Sequence, residues 1–272
     1  MSASGSYHLP ASQQAVRAEI KRLASQARSG WEKEARVLSW FGLHDGMALL
    51  EPGSGPGFIT EQLMALLPSS PITCVEINPT LLDEARQRPG AAKRVHFVEG
   101  SVLDTGLASE QFDFVYARLL FQHLPDPAAA AREIWRVLKP GGKLVIYDVD
   151  DGLFGLFEPP LPEFAPVLAA FGQAQAARGG NRYIGRQLQG LLAGTGFVNI
   201  DMEIVAADSA GSEIEAFLGH IGPDRMQSLV AQGFLSAEDF ERYRAALASF
   251  LAVPGAYSVW LSLMSCGEKP QS

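Results

Sequence analysis

Met47-Ala-Leu-Leu-Glu51-Pro-Gly53-Ser-Gly55-Pro-Gly57-Phe-Ile-Thr60 decides how the chain is read. A short apolar run ends in an acidic residue, and three glycines follow at alternate positions. An amphipathic pattern begins immediately after them. This predicts a buried strand, a tight turn and a helix. Glycines in such a turn let bare backbone approach a ligand, because no Cβ stands in the way.

Outward from this stretch the rhythm repeats. Phe58–Leu67 is predicted to be helical and stops at Pro68. Ile72–Ile77 is a second apolar strand with Glu76 near its end, and Asn78-Pro79 opens a helix over Thr80–Gln87. Val95–Gly100 and Phe112–Ala117 read as strands three and four. Asp126-Pro127 supplies a cap and a first-turn proline for a helix over Ala128–Leu138, and Lys143–Asp148 reads as strand five. Strands alternating with helices at this spacing predict an α/β fold, a Rossmann-like doubly wound parallel sheet.

Before the first strand, Val16, Ile20, Leu23 and Ala27, then Trp31, Ala35, Leu38 and Trp40, recur at helical steps. Residues 1–41 are expected to form an N-terminal helical flap, and 42–151 the ligand-binding half of the core. Residues 152–272 are expected to hold the remainder of the core, with strands near 197–205 and 257–266 and cap insertions at 152–181 and 208–255. Tyr183–Ala193 reads as a helix, and Ser212-x-x-Glu215 and Ser236-x-x-Asp239 resemble capping boxes.

Composition narrows the function. The chain has 272 residues, 47% of them hydrophobic, so it can bury a large core. A net charge of −8 without a basic block argues against nucleic acid as a partner. Cys74 and Cys266 both sit in apolar runs, which suggests a reducing compartment rather than a disulfide framework. No signal-like N-terminus and no membrane-spanning run is evident, so a cytoplasmic protein with no membrane partner is expected. A homodimer is left open.

The glycine spacing selects the ligand. A dinucleotide fingerprint needs G-x-G-x-x-G, and Phe58 occupies the place of the last glycine. That disfavours a nicotinamide-dependent oxidoreductase. No Gly-Lys-Ser/Thr of a P-loop follows either. Glu76 stands 21 residues beyond Gly55, where a carboxylate can accept both hydroxyls of a ribose. These features suggest an adenosine-type ligand without a pyrophosphate.

Glu51-x-Gly53-x-Gly55-x-Gly57, Glu76, Phe112–Leu124 and Leu138-Lys-Pro-Gly-Gly-Lys-Leu144 together resemble the ordered motifs of the class I S-adenosylmethionine-dependent methyltransferases, in their small-molecule branch. The likeness is strong from Trp31 to Asp148 and weak beyond. It implies a seven-stranded sheet with an antiparallel last strand. It also implies S-adenosyl-L-methionine (SAM) as cofactor and S-adenosyl-L-homocysteine as product. Glu51, Gly53, Ser54 and Gly55 would meet the methionine end, and Glu76 and Ile77 the ribose and its surroundings. Ser101 and Val102 would lie by the adenine, where many relatives carry an acidic residue. Ala117 and Arg118, with Gln26 and Tyr7 from the flap, complete the cofactor set that the resemblance implies, a buried acid being the alternative partner for Arg118.

His123 and Tyr183 are the candidates for a general base, with a packing role the alternative for His123. Asp148, Asp150 and Asp151 raise a divalent metal, but Ala117-Arg118 stands where such relatives carry an acid, and no metal is expected. Phe154, Phe157 and Phe171 read as cap core. The expected activity is methyl transfer to a small apolar or aromatic metabolite, at O, N or C. The alternative is a protein of this fold that uses SAM structurally, for a cyclisation or for binding only.

Overall fold

The computed structural model describes residues 5–10, 12–88, 90–209 and 221–271. Its centre is a mixed sheet with eight strands among the described residues. The strands are β1 (Leu49–Pro52), β2 (Ile72–Glu76), β3 (Val95–Glu99), β4 (Phe112–Arg118), β5 (Leu138–Val149), β6 (Leu156–Glu158), β7 (Val198–Asp208) and β8 (Tyr257–Glu268). β3, β2, β1, β4 and β5 run parallel in that spatial order. β8 pairs antiparallel with β5 along one edge and with β7 along the other. The sheet thus has the Rossmann-like order with an antiparallel last strand.

One strand exceeds the seven expected. β6 pairs with Tyr257–Val259 of β8, just beyond the stretch that pairs with β5. It prolongs the β5 edge after a short 3-10 turn at Asp151–Leu153 and adds no new position across the sheet.

The helices are α1 (Gln13–Arg28), α2 (Trp31–Trp40), α3 (Phe58–Leu66), α4 (Pro79–Arg86), α5 (Ala91–Arg94), α6 (Pro127–Val137), α7 (Phe164–Ala176), α8 (Leu188–Thr195), α9 (Pro223–Ala231) and α10 (Ala237–Leu251). Their starts follow local chemistry. The Asn78 carboxamide accepts from the Thr80 and Leu81 N–H groups, Asp126 accepts from Ala129, and Ser236 accepts from Asp239. Ser212-x-x-Glu215 lies outside the described residues.

Successive residues of the central strands enter opposite cores, as strand alternation requires. Leu49, Phe114 and Tyr116 pack with Leu38, Phe41 and Leu63 on one face. Leu50, Val115 and Ala117 pack with Ile134, Val137 and Leu188 on the other. A third apolar cluster, with Phe157, Phe164, Val167, Tyr243 and Phe250, joins β6, α7, α9 and α10 beyond the carboxyl end of β5.

Two sequence expectations are corrected. Trp40 does not face inward; it is 73% exposed. The inward stripe of α2 is Glu34, Leu38 and Phe41, spaced four and three residues apart, which leaves Trp40 on the far side. The helix expected from Tyr183 begins only at Leu188, after a 3-10 turn at Gly185–Gln187. Upstream, Asn181 accepts from the Tyr183 N–H and Asp150 accepts from the Arg186 N–H. Those side chains compete with helical hydrogen bonds and hold 181–186 as a turn.

Candidate active site

The carboxyl ends of β1, β2 and β4 open into one cavity of about 620 Å³, walled by the glycine loop, α1, α7 and α9. Ligands of open α/β sheets bind at this end of the strands. Gly53, Gly55 and Gly57 all have positive φ, at 69°, 55° and 77°. A Cβ on Gly53 would meet the Leu120 side chain at 2.8 Å, and one on Gly57 the Cβ of Ala85 at 2.9 Å. A Cβ on Gly55 would meet nothing within 4 Å. Gly57 therefore permits close packing of α3 on α4, whereas Gly55 presents bare backbone to the cavity.

Two carboxylates floor this end. Glu51 is buried at the end of β1; its Oε2 accepts from the Thr60 hydroxyl at 2.6 Å and the Cys74 thiol at 3.7 Å. Burial pushes its pKa up to about 7. No Lys or Arg among the described residues pairs with it. Glu76 accepts the Gly55 N–H on Oε2 and the Asn78 N–H on Oε1, each at 2.8 Å. Each oxygen keeps a lone pair for a further donor, and burial raises its pKa. Ser54, Ile77, Ser101 and Val102 also line the cavity. The Ser101 hydroxyl accepts from the Leu103 N–H.

Arg118 and Gln26 reach the cavity wall, where the Arg118 guanidinium meets Glu34 and the backbone carbonyl of Gln26. Arg118 makes a double ion pair with buried Glu34, and its Nη2 donates to the Gln26 carbonyl at 3.1 Å. Leu119 follows in the left-handed region with φ of 53° and lines the same wall. That conformation costs a branched residue about 1–2 kcal/mol. Ala117 is fully buried in β4 and is not a lining residue.

His123 lines the cavity beside Tyr7, whose ring meets it edge-on at 5.5 Å. Its Nδ1 lies 2.9 Å from the Ser6 hydroxyl. Burial, reinforced by Arg182, Arg225 and Arg22, lowers its pKa to about 3. The imidazole is neutral near pH 7 and is a poor proton acceptor. Tyr183 is not brought to the site: it is 45% exposed, outside the cavity, and stacks on the Arg186 guanidinium.

The three aspartates have protein partners. Asp148 accepts from the Gln122 and Val149 N–H groups, Asp150 binds Arg186, and Asp151 binds Arg182. Among the cap aromatics, Phe157 is core, whereas Phe154 and Phe171 line the cavity with Phe164 and Trp260. Sequence reading missed Glu34, Phe164, Trp260 and the arginines Arg22 and Arg225. Glu34 and Arg225 meet Arg118 and Phe171 from far away in sequence, and no local motif announces any of the five.

A protein-family model described as a methyltransferase domain matches residues 50–146, the segment from β1 into β5. This segment is therefore similar to a methyltransferase domain. The demethylmenaquinone methyltransferase of Deinococcus radiodurans is 31% identical over 129 residues, covering 47% of this chain and 53% of that protein. A demethylmenaquinone methyltransferase of Staphylococcus aureus is 27% identical over 142 residues, 52% of this chain and 55% of that one. The chain thus spans about half the length of the curated relatives it matches. The solved phosphoethanolamine N-methyltransferase 2 of Haemonchus contortus, in complex with S-adenosylhomocysteine, shares the fold. It superposes with a TM-score of 0.55 at 21% identity, covering 89% of this chain and 53% of that one.

Proposed function

We propose that this protein is a SAM-dependent methyltransferase acting on a small, largely apolar or aromatic metabolite. The observation that carries the reading is Glu51: a buried carboxylate with no ion-pair partner among the described residues, beneath a glycine loop that offers bare backbone to the cavity. A cationic ligand fits such a floor, and Glu76 beside it suits a ribose diol. SAM would supply an activated methyl on a sulfonium. Glu51, Gly53, Ser54 and Gly55 would hold its methionine end, Glu76 and Ile77 its ribose, and Ser101 and Val102 its adenine. Tyr7 and Gln26 would cover it from the N-terminal segment.

The remaining work of the protein is alignment. Reacting atoms held in line at near-attack distance gain most of the rate without protein-borne chemistry. Phe154, Phe164, Phe171 and Trp260 form an apolar wall that excludes water and shapes the acceptor. His123 would orient the acceptor as a neutral hydrogen-bonding group, because its low pKa unfits it as a base near pH 7.

Calorimetry with SAM, S-adenosylhomocysteine and NAD tests the reading. Binding of the two adenosyl ligands and not of NAD is expected. Absence of SAM binding overturns it, and SAM binding without label transfer to any acceptor favours a non-methylating role.

A further inference from the structure

The second half of the cavity carries a positive charge that the methyltransferase reading leaves unused. Three arginines border it. Arg22 is held by Glu19 in a double ion pair at 2.8 and 2.7 Å, and Arg182 is held by Asp151 at 2.7 Å through both Nε and Nη2. Those two are neutralised. Arg225, at the start of α9, has no carboxylate within ion-pair distance among the described residues. Its guanidinium lies 4.4 Å from the centroid of the Phe171 ring, which Arg182 also approaches at 5.0 Å. Burial together with repulsion from Arg22 and Arg182 drives the Arg225 pKa down to about 9. A half-buried guanidinium with no carboxylate partner among the described residues is costly, and a ligand anion relieves that cost.

From this arrangement we infer that the methyl acceptor is an aromatic acid bearing one negative charge, whose anionic group pairs with Arg225 while its ring rests among Phe154, Phe171 and Trp260. A single uncompensated arginine matches a monoanion such as a carboxylate, whereas a diphosphate would call for several cations. A planar guanidinium also matches a carboxylate in a forked geometry. The cavity is then electrically divided. Glu51 and Glu76 face the cationic donor, and Arg225 faces the anionic acceptor. The two charges would orient the substrates relative to each other before any methyl moves.

The inference rests on the methyltransferase reading, and its test separates the two. The full chain, saturated with S-adenosylhomocysteine, is titrated with 2-naphthoate and with its neutral counterpart 2-naphthamide. The acid should bind at least about tenfold more tightly than the amide, the usual worth of a buried charged hydrogen-bond pair. In Arg225→Met, which keeps the stem on Phe171 but removes the charge, this preference should fall below about twofold. S-adenosylhomocysteine affinity should stay within about twofold of the wild type, which also certifies the fold. Arg225→Gln serves where the Met variant does not fold. Equal binding of acid and amide by the wild type, no binding of either, or a preference that survives loss of the guanidinium overturns the inference. Failure to bind S-adenosylhomocysteine at all overturns the reading beneath it instead.

Discussion

Arg118, at the end of β4, grips Glu34 of α2 through two hydrogen bonds of 2.7 Å, and the Tyr116 hydroxyl joins the same carboxylate at 2.7 Å. Both partners are buried, with Glu34 fully so. This pair locks the N-terminal helices onto the sheet beside the cavity. Removing the guanidinium alone leaves a buried charge, so Arg118→Ala should lose about 3–5 kcal/mol in urea unfolding. Arg118→Met with Glu34→Leu should recover most of that loss, because an apolar pair often equals a buried ion pair. SAM affinity should remain reduced in the double variant, since the Arg118 bond to the Gln26 carbonyl is also gone. Equal stability of the single and double variants would contradict this role.

On the proposed function, Glu51 should tie SAM affinity to pH. Its pKa is raised from an ordinary 4.5 to about 7, so the folded protein holds this proton more tightly than the unfolded chain. The sign follows: its contribution to stability is full below about pH 4.5 and is lost as pH rises through 7, amounting to roughly 3 kcal/mol. A cation binds the ionised form. SAM affinity should therefore rise up to about tenfold per unit as pH approaches 7, then level off. Asp148, likewise raised to about 7 by burial, titrates in the same window. Glu51→Gln separates them: it should flatten the affinity profile and weaken binding at pH 8 by about tenfold or more. A profile unchanged by Glu51→Gln would remove Glu51 from the cofactor site.

The core of the sheet was legible because parallel strands buried on both faces leave unbroken apolar runs, as in Leu49–Leu50 and Phe114–Ala117. The glycine loop and Glu76 were legible because their chemistry is local: a turn and an acid at a strand end. Glu34 was not. It occupies an apolar position of α2, and Arg118 and Tyr116, 84 and 82 residues away, make that tolerable. Tyr183 was misplaced for a similar reason, since Asp150 and Asp151 fix its segment from another loop. Arg225 escaped notice because an arginine in a helical first turn looks like any solvated surface charge until α7 is placed against it.

Gly55 and Gly57 should respond oppositely to the same substitution. At Gly55 the Cβ of a valine meets nothing within 4 Å, so the main cost to the fold is the left-handed backbone, about 1–2 kcal/mol. Its side chain would project into the cavity, and SAM binding should be lost while the protein remains folded. At Gly57 a valine collides with Ala85 of α4 as well as straining φ. That variant should lose several kcal/mol of stability. Thermal unfolding and calorimetry measured on both variants distinguish the roles. Comparable destabilisation by the two would refute the distinction.

His123 supplies the sharpest test of how much acid–base chemistry the protein performs. With a pKa near 3 it stays unprotonated across pH 5–8 and cannot produce a rate step in that range. A base whose conjugate acid is that strong draws little of an acceptor proton at neutral pH. Its Ser6 contact and its edge-on packing with Tyr7 instead place it as a fixed part of the wall. Once an acceptor is known, His123→Gln should lower kcat by about tenfold or less, below the usual range for losing a general base. The shape of the pH–rate curve between 5 and 8 should match the wild type. Tyr183→Phe, altered outside the cavity, should leave both kcat and the curve unchanged. Loss of an ionisation near pH 6–7 in His123→Gln would show instead that the bound acceptor restores basicity to the imidazole, and the alignment mechanism would then need a proton-transfer step.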